Sequence, residues 1–427
     1  MQSSELSASQ NNNRQDKETP RLKTSLQCVG IWIIRVILGL VFAFSGFSKA
    51  VDPWGGMYKM SEYFTKWGVT VNRESVLILA GVLSGFEFVL GFLLLFGAYK
   101  KSVRWLALVF MSFMTILTLY IWIFNPVTDC GCFGEAFIIS NSLTFWKNII
   151  LLVLTVLLFM YNTRVEGLLL PKLQWTLIVV ASFYIIAIQI YGYHVQPMID
   201  FRPFPVGTNM TELTQNEEEN VIFVYEKDGF KEEFSADNLP DETWHFVERK
   251  TASPQKNILS VFEDEEEVSE EIFADEGIQY VLIVSDPIHY GLARSNMANS
   301  LYDYAKETGA DMFAIVAIAS DKTKDWIEAT GAKYPVYTAE DTDLKMLARG
   351  DAAVMMVENG IIKWKSNVFA LSPEFPYTDN GKVSFKTFNS PLKSMTIVFL
   401  TILLSIFILS RLIVKYSLIK FHKKQTK

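Results

Sequence analysis

The sequence predicts a membrane all-α helical bundle of about six transmembrane helices joined to an extracytoplasmic α/β domain. Three observations carry that prediction. Half of the 427 residues are hydrophobic and a fifth are charged, a balance unusual for a soluble chain. Six apolar stretches each approach the roughly 20 residues needed to cross about 30 Å of hydrocarbon. Between the fifth and the sixth lies a long hydrophilic region in which short apolar runs alternate with helical patterns. The acidic residues behind the net charge of -7 are concentrated between Glu217 and Glu276, so the charge specifies no partner. No basic patch interleaved with aromatics occurs outside the membrane flanks, which gives nucleic-acid binding no support.

Residues 1–25 are rich in Ser, Asn and Gln and lack the apolar core and cleavage site of a signal peptide. They read as a disordered cytoplasmic tail, with the first span as signal anchor. The spans follow at about Cys28–Phe47, Val76–Phe96, Trp105–Phe124, Leu143–Tyr161 and Leu173–Tyr193, and the sixth at Met395–Leu412. The fourth carries Lys147, which near a helix end can snorkel to the headgroups.

Positive charges orient the set, because short cytoplasmic loops retain Lys and Arg. With the N-terminus inside, the inside segments hold Arg14, Lys17, Arg21 and Lys23, then Lys100, Lys101 and Arg104, then Arg164 and Lys172, and finally the tail from Arg411 to Lys427. The loop Lys49–Arg73 is moderately basic and still falls outside. Asn125–Asn141 has no Lys or Arg and also falls outside. An odd number of spans precedes the hydrophilic region, so it shares that outer face, with both chain termini cytoplasmic. In a bacterium the membrane is the inner one and the compartment is the oxidising periplasm.

That loop holds the strongest local signal, Asp129-Cys130-Gly131-Cys132-Phe133-Gly134-Glu135. With three cysteines in the chain, a disulfide-scaffolded fold is ruled out. Two thiols this close can pass between dithiol and disulfide by thiolate attack on a partner's disulfide, and the small ring favours lability over stapling. The alternatives are a purely structural loop, or a metal site, for which the loop supplies two thiolates and no histidine. No metal and no cofactor is evident. Glu87 falls within the second span, where an ionised carboxylate is expensive unless paired. Arg35 is its obvious partner and Lys49 the other candidate. The alternative for this group is a structural pair holding two helices together. Cys28, at the opposite end of the first span, reads as structural.

The hydrophilic region reads as strands Gln279–Ser285, Met312–Ala319 and Tyr334–Tyr337 alternating with helices Leu292–Thr308, Lys322–Thr330 and Asp343–Arg349. A hairpin follows, Ala353–Val357 and Ile361–Lys365, turning at Asn359-Gly360. Val221–Tyr225 and Lys231–Phe234 suggest a small β-hairpin module, and Glu263–Glu271 a solvated acidic linker. The chain thus divides into the tail (1–25), the bundle with its fifth helix (26–195), the β module and acidic linker (196–276), the α/β domain (277–390), and a final helix with a basic cytoplasmic tail (391–427).

Arg35-x-x-x-Gly39, Phe44-Ser45-Gly46-Phe47-Ser48-Lys49, Asp52-Pro53 and Glu87-x-x-x-Gly91 give Val29–Tyr161 a pattern that resembles the DoxX/MauE superfamily of four-helix membrane proteins. The Cys-Gly-Cys-Phe-Gly loop resembles the MauE branch in particular. The resemblance implies redox support of extracytoplasmic maturation, linked in that branch to methylamine utilisation, while DoxX relatives imply a possible quinone. It makes Cys130 and Cys132 the redox pair and Arg35, Lys49 and Glu87 the bundle's polar elements. The order of elements in 277–390 resembles a thioredoxin-like domain whose Cys-x-x-Cys position, Ser285–Gly291, has no cysteine. Ala352 stands where that family places its cis-proline. Such a domain binds or positions a partner and does not exchange disulfides itself.

The expected function is therefore a relay of thiol/disulfide equivalents through Cys130 and Cys132, with a periplasmic client or electron partner. If the chain is an enzyme, it is of thiol/disulfide oxidoreductase type. Two alternatives stay open: a non-enzymatic scaffold or assembly subunit, and a quinone-binding or transport subunit built around Glu87 and Arg35.

Overall fold

The computed structural model describes residues 28–127, 129–161, 165–211, 221–227, 230–235, 239–240, 243–251, 259–273, 276–371 and 391–425. The expected tail at 1–25 lies outside the described residues. The chain forms two compact units: 1–193 with 197–199 and 390–427, and 194–196 with 200–389.

In the first unit, six helices among the described residues are long and apolar enough to cross a membrane. They are α1 (Cys28–Val51), α3 (Arg73–Phe96), α4 (Lys100–Phe124), α5 (Asn141–Tyr161), α6 (Gln174–His194) and α11 (Leu392–Gln425). Local signals set their ends. Asn72 caps α3 by accepting a hydrogen bond from the Ser75 amide at 2.9 Å, and Gly97 closes that helix in the left-handed region at φ 61°, as cap chemistry requires.

The segment expected to be a plain outer loop contains a further helix, α2 (Pro53–Lys66). Asp52 caps it through the Gly55 amide at 2.9 Å, and Pro53 occupies its first turn, where a missing N–H costs nothing. Trp54 and Met57 are buried while Trp67, just beyond its end, is 45% exposed. The helix is too short and too polar to span, so the search for long apolar runs passes over it.

Helices α1 and α3 touch backbone to backbone. A Cβ on Gly46 would lie 2.3 Å from the Phe88 nitrogen, and one on Gly91 would lie 2.3 Å from the Ala43 nitrogen. Small residues permit such crossings where lipid supplies no hydrophobic drive between helices. Elsewhere in the unit, Tyr184 of α6 stacks on Phe399 of α11 at 4.1 Å and shares a 2.8 Å hydrogen bond with Thr396.

The second unit is built on a seven-stranded sheet of order β10-β9-β6-β7-β8-β4-β5. Its central strands are β6 (Ile278–Val284), β7 (Asp311–Val316) and β8 (Val336–Ala339), which run parallel, and β9 (Ala352–Glu358), antiparallel to β6. Parallel pairing demands crossovers, supplied here by α8 (Gly291–Thr308) and α9 (Thr323–Thr330), and a short α10 (Asp341–Leu347) leads from β8 to β9. In β6, Tyr280, Leu282 and Val284 belong to one apolar core and Val281 and Ile283 to another. Both faces of the sheet are therefore covered, and the strand reads as a continuous apolar run. The expected hairpin is present. Strands β9 and β10 (Ile361–Asn367) join at Asn359 and Gly360, with φ 51° and 73°, the left-handed pair of a type I′ turn.

Two expectations need correction. The acidic run is not a solvated linker: β4 (Val261–Glu263) pairs with β8, β5 (Glu266–Glu267) pairs with β4, and α7 (Ser269–Ile272) follows. Val261 and Phe273 are fully buried, and Val268 and Ile272 pack beside them, while Glu265, Glu266 and Glu270 face outward. A few buried apolar positions suffice to fix a segment that composition alone marks as soluble. The β module is also larger than a hairpin, because β1 (Val221–Lys227) lies between β2 (Phe230–Ser235) and β3 (His245–Thr251) in a three-stranded antiparallel sheet.

Candidate functional site

The close α1/α3 crossing decides where the intramembrane charges meet. Lys49 lies just under one turn beyond Gly46, and Glu87 precedes the Phe88 on which Gly46 packs. The Lys49 ammonium sits 2.7 Å from each carboxylate oxygen of Glu87. Glu87 is almost fully buried and Lys49 nearly so. Arg35 is not the partner. It lies 14 positions earlier on α1, about 21 Å along the helix axis. There it donates to the carbonyls of Val165 and Glu166 at 3.1 and 3.3 Å and lies over the ring of Trp32. The expected trio is thus a pair at one end of α1 and a loop anchor at the other.

The cysteine loop comes to that pair. Ser45 of α1 has its hydroxyl 2.7 Å from Glu87 Oε2 and 2.7 Å from the Cys132 carbonyl. A single hydroxyl proton serves one of these acceptors at a time. Gly131 and Gly134 take φ of 64° and 56°, and the Gly134 amide donates to the Gly131 carbonyl at 3.1 Å. Only glycine adopts these turns without strain. The base of the loop is tied down by Asn141, whose amide donates to Asn125 Oδ1 and the Val127 carbonyl.

Within this turn the thiols of Cys130 and Cys132 stand 2.7 Å apart, with Cys130 buried and Cys132 half-buried. The amphipathic helix α2 supplies the other wall. Lys59 pairs with Asp129 at 2.9 Å, Asp129 accepts from the Gly131 amide at 2.8 Å, and Tyr63 donates to the Cys130 carbonyl at 3.0 Å. On the far side Lys147 lies over the Phe133 ring at 4.1 Å. It does not simply snorkel to the headgroups; its charge acts on the loop.

These surroundings make the two thiols unequal. A hydrogen bond from Cys130 holds the Cys132 thiol below the ordinary range, against its burial, and the charges of Lys147 and Lys49 act in the same direction. Cys130 is pushed up by that same hydrogen bond and by burial. Burial pushes Lys59 down, but Asp129 and Glu62 more than offset it, so it remains an ammonium. Tyr63 is pushed up, first by burial and then by the two cysteines, and stays a donor. On these directions the Cys132 thiol ionises more readily than the Cys130 thiol.

Ser45, Lys59, Tyr63, Asp129 and Lys147 were not singled out as site residues by sequence reasoning. Lys147 was the most legible of them, as a lysine inside an apolar span. Lys59 and Tyr63 depend on α2 folding over the loop. In the second unit, the position without cysteine holds His289 and Asp286, paired at 2.8 Å and solvent-facing. Among the described residues no group of three or more His, Cys, Asp or Glu could hold a metal ion.

Fold and site together define a multi-pass membrane protein carrying a vicinal thiol pair against a buried ion pair. Residues 28–161 match the family model described as methylamine utilisation protein MauE. A second model, a domain of unknown function (DUF8463), matches residues 220–253. No curated protein and no solved structure matches the chain.

Proposed function

We propose that this protein exchanges thiol/disulfide equivalents at the outer face of a bacterial inner membrane, through Cys130 and Cys132. The observation that carries the reading is the pairing of two thiols at 2.7 Å in a turn that Lys49, Lys59, Asp129 and Tyr63 hold in place. In the exchange, the Cys132 thiolate attacks one sulfur of a client disulfide and forms a mixed disulfide. The Cys130 sulfur, losing its proton, then attacks Cys132 and releases the client as a dithiol. The reverse sequence oxidises a client.

Orientation with the loop outside is supported by the basic cluster Lys100, Lys101 and Arg104 at the opposite membrane boundary. The second unit is read as a thioredoxin-like module that positions a client. Supporting this are the strand order β10-β9-β6-β7, the parallel β6/β7 pair joined through α8, and the antiparallel hairpin at the edge.

The test is to trap thiols in intact cells with a membrane-impermeant alkylating reagent, with and without prior reduction. The pair should be labelled only after reduction in a fraction of molecules, and Cys130→Ser should accumulate mixed disulfides through Cys132. A pair that never labels from outside, or double Cys→Ser cells with unchanged client disulfides, would refute the reading.

A further inference from the structure

Thiol/disulfide exchange frees a proton each time a cysteine ionises, and here Cys130 is buried and Cys132 half-buried. A small cavity of about 30 Å³ lies against Cys132. Ser45, Glu87, Cys132, Lys147 and Asn148 form its polar wall, and apolar side chains of α1, α4 and α5 close the rest. A buried water needs roughly 10–15 Å³ and two to four polar partners. The cavity has room for one and the groups to hold it. Beside it the Ser45 hydroxyl stands 2.7 Å from Glu87 Oε2 and 2.7 Å from the Cys132 carbonyl, so the carboxylate is fixed next to the cysteine loop.

The charges around this point decide where the thiol proton can go. Among the described residues they are Lys49 on α1, Glu87 on α3, Lys147 on α5 and the two cysteines of the loop, while α4 contributes Phe110, Met111 and Met114 to the cavity. Lys49 and Lys147 favour ionisation of Cys132, and the charge of Glu87 opposes it. Sending the proton to bulk water leaves a thiolate and a carboxylate side by side in a poorly solvated site. Moving it onto Glu87 leaves the total charge unchanged, because Lys49 exchanges one anionic neighbour for another and no further ion is desolvated. From this arrangement we infer that Glu87 is the proton acceptor for Cys132 during exchange, with Lys49 as the counterion shared by carboxylate and thiolate and the small cavity holding the connecting water. The inference rests on the thiol/disulfide reading above and gives the buried ion pair a part in it.

The step balances without a further reactant. The S–H bond of Cys132 breaks, its electron pair forms the S–S bond to the client, and the proton passes to Glu87. The client's own S–S bond breaks, and its departing sulfur keeps that electron pair and takes up the proton from Glu87. Cys130 then attacks Cys132, and the second client sulfur leaves with the Cys130 proton. Two protein thiols have become one disulfide and one client disulfide has become two thiols, with Glu87 again ionised beside Lys49. This is general base and then general acid work by one carboxylate.

The test uses the full chain in nanodiscs, reduced, freed of reductant and kept anaerobic. The neutral 2-hydroxyethyl disulfide is added across a pH series, and the second-order rate of pair oxidation is read by acid quench and thiol counting. The wild-type rate should stay nearly level as pH falls below the Cys132 midpoint, dropping only where a carboxylate protonates, and should be slower in deuterium oxide. The double variant Lys49→Met/Glu87→Leu removes the acceptor without stranding a buried charge. Its rate should instead fall tenfold per pH unit and lie about a hundredfold below wild type near pH 6, the lower end of what acid–base catalysis supplies. Glu87→Asp, which keeps a carboxylate, should retain the level limb at a reduced rate. Asn148→Leu, which fills the cavity and leaves the ion pair in place, should lose the level limb, so the test stands even if the double variant does not fold. A wild-type rate that simply tracks thiolate, or a level limb that survives in the double variant or in Asn148→Leu, would overturn the assignment while leaving the exchange reading intact. Wild-type thiols that N-ethylmaleimide labels but that no pH brings to react with the disulfide would remove both.

Discussion

Breaking the Lys49–Glu87 pair is the sharpest test of how the membrane unit is held. The charges stand 2.7 Å apart with Glu87 only 2% exposed. At an effective dielectric constant of about 20, the gross attraction is roughly 6 kcal/mol. Desolvation of both ions offsets most of it, so the pair itself contributes little net stability. Removing one partner is different, because the survivor stays buried and uncompensated. Lys49→Met or Glu87→Leu should each cost about 3–5 kcal/mol, whereas the double substitution, which leaves two apolar side chains at the α1/α3 contact, should recover most of that loss. The assay is a double-mutant cycle on unfolding of the detergent-solubilised protein, read from the accessibility of buried Cys130. A strong coupling is expected. Single variants that each lose less than about 1 kcal/mol, the scale of exposed pairs, would show that water reaches this site and that the argument from burial is wrong.

Three further outcomes follow from the geometry. Alkylation of reduced protein should occur first at Cys132, with a pH midpoint below the ordinary thiol value of about 8.5; because the thiolate is the reactive form, Lys147→Met should move that midpoint upward, as mass mapping across a pH series would reveal. Gly46→Val should separate α1 from α3, since its Cβ would fall 2.3 Å from the Phe88 nitrogen; a loss of about 1–3 kcal/mol is expected for such overpacking, together with faster alkylation of the loop, both readable in detergent. Gly360→Ala puts a side chain at φ 73° and its Cβ 2.6 Å from Thr211 Oγ1; the penalty of about 1–2 kcal/mol should appear as a lowered Tm of the second unit, with thiol reactivity in the membrane unit unaltered.

The sequence alone determined what short-range physics controls. Six apolar runs of bilayer length can only be helices where lipid leaves backbone groups no other partner. Alternating apolar runs and helical patterns gave the parallel core of the second unit, and Asn359-Gly360 announced its hairpin turn because few residue pairs accept two positive φ values. The Cys-Gly-Cys pair was visible because its members are neighbours in the chain.

Tertiary structure decided the rest, and each case turned on a contact between residues distant in sequence. On residue type Arg35 is the obvious partner for Glu87 and Lys49 the other candidate, and only the glycine-mediated crossing of α1 and α3 places Lys49 at 2.7 Å. The amphipathic α2 has no bilayer-length signature, yet it brings Lys59 and Tyr63 onto the cysteine loop. The acidic run became an edge of the sheet because Val261 and Phe273 found buried positions, which composition averages away. A thiol pair can be read from spacing, but its polarity arises from side chains that several separate segments contribute, and no local pattern encodes their meeting.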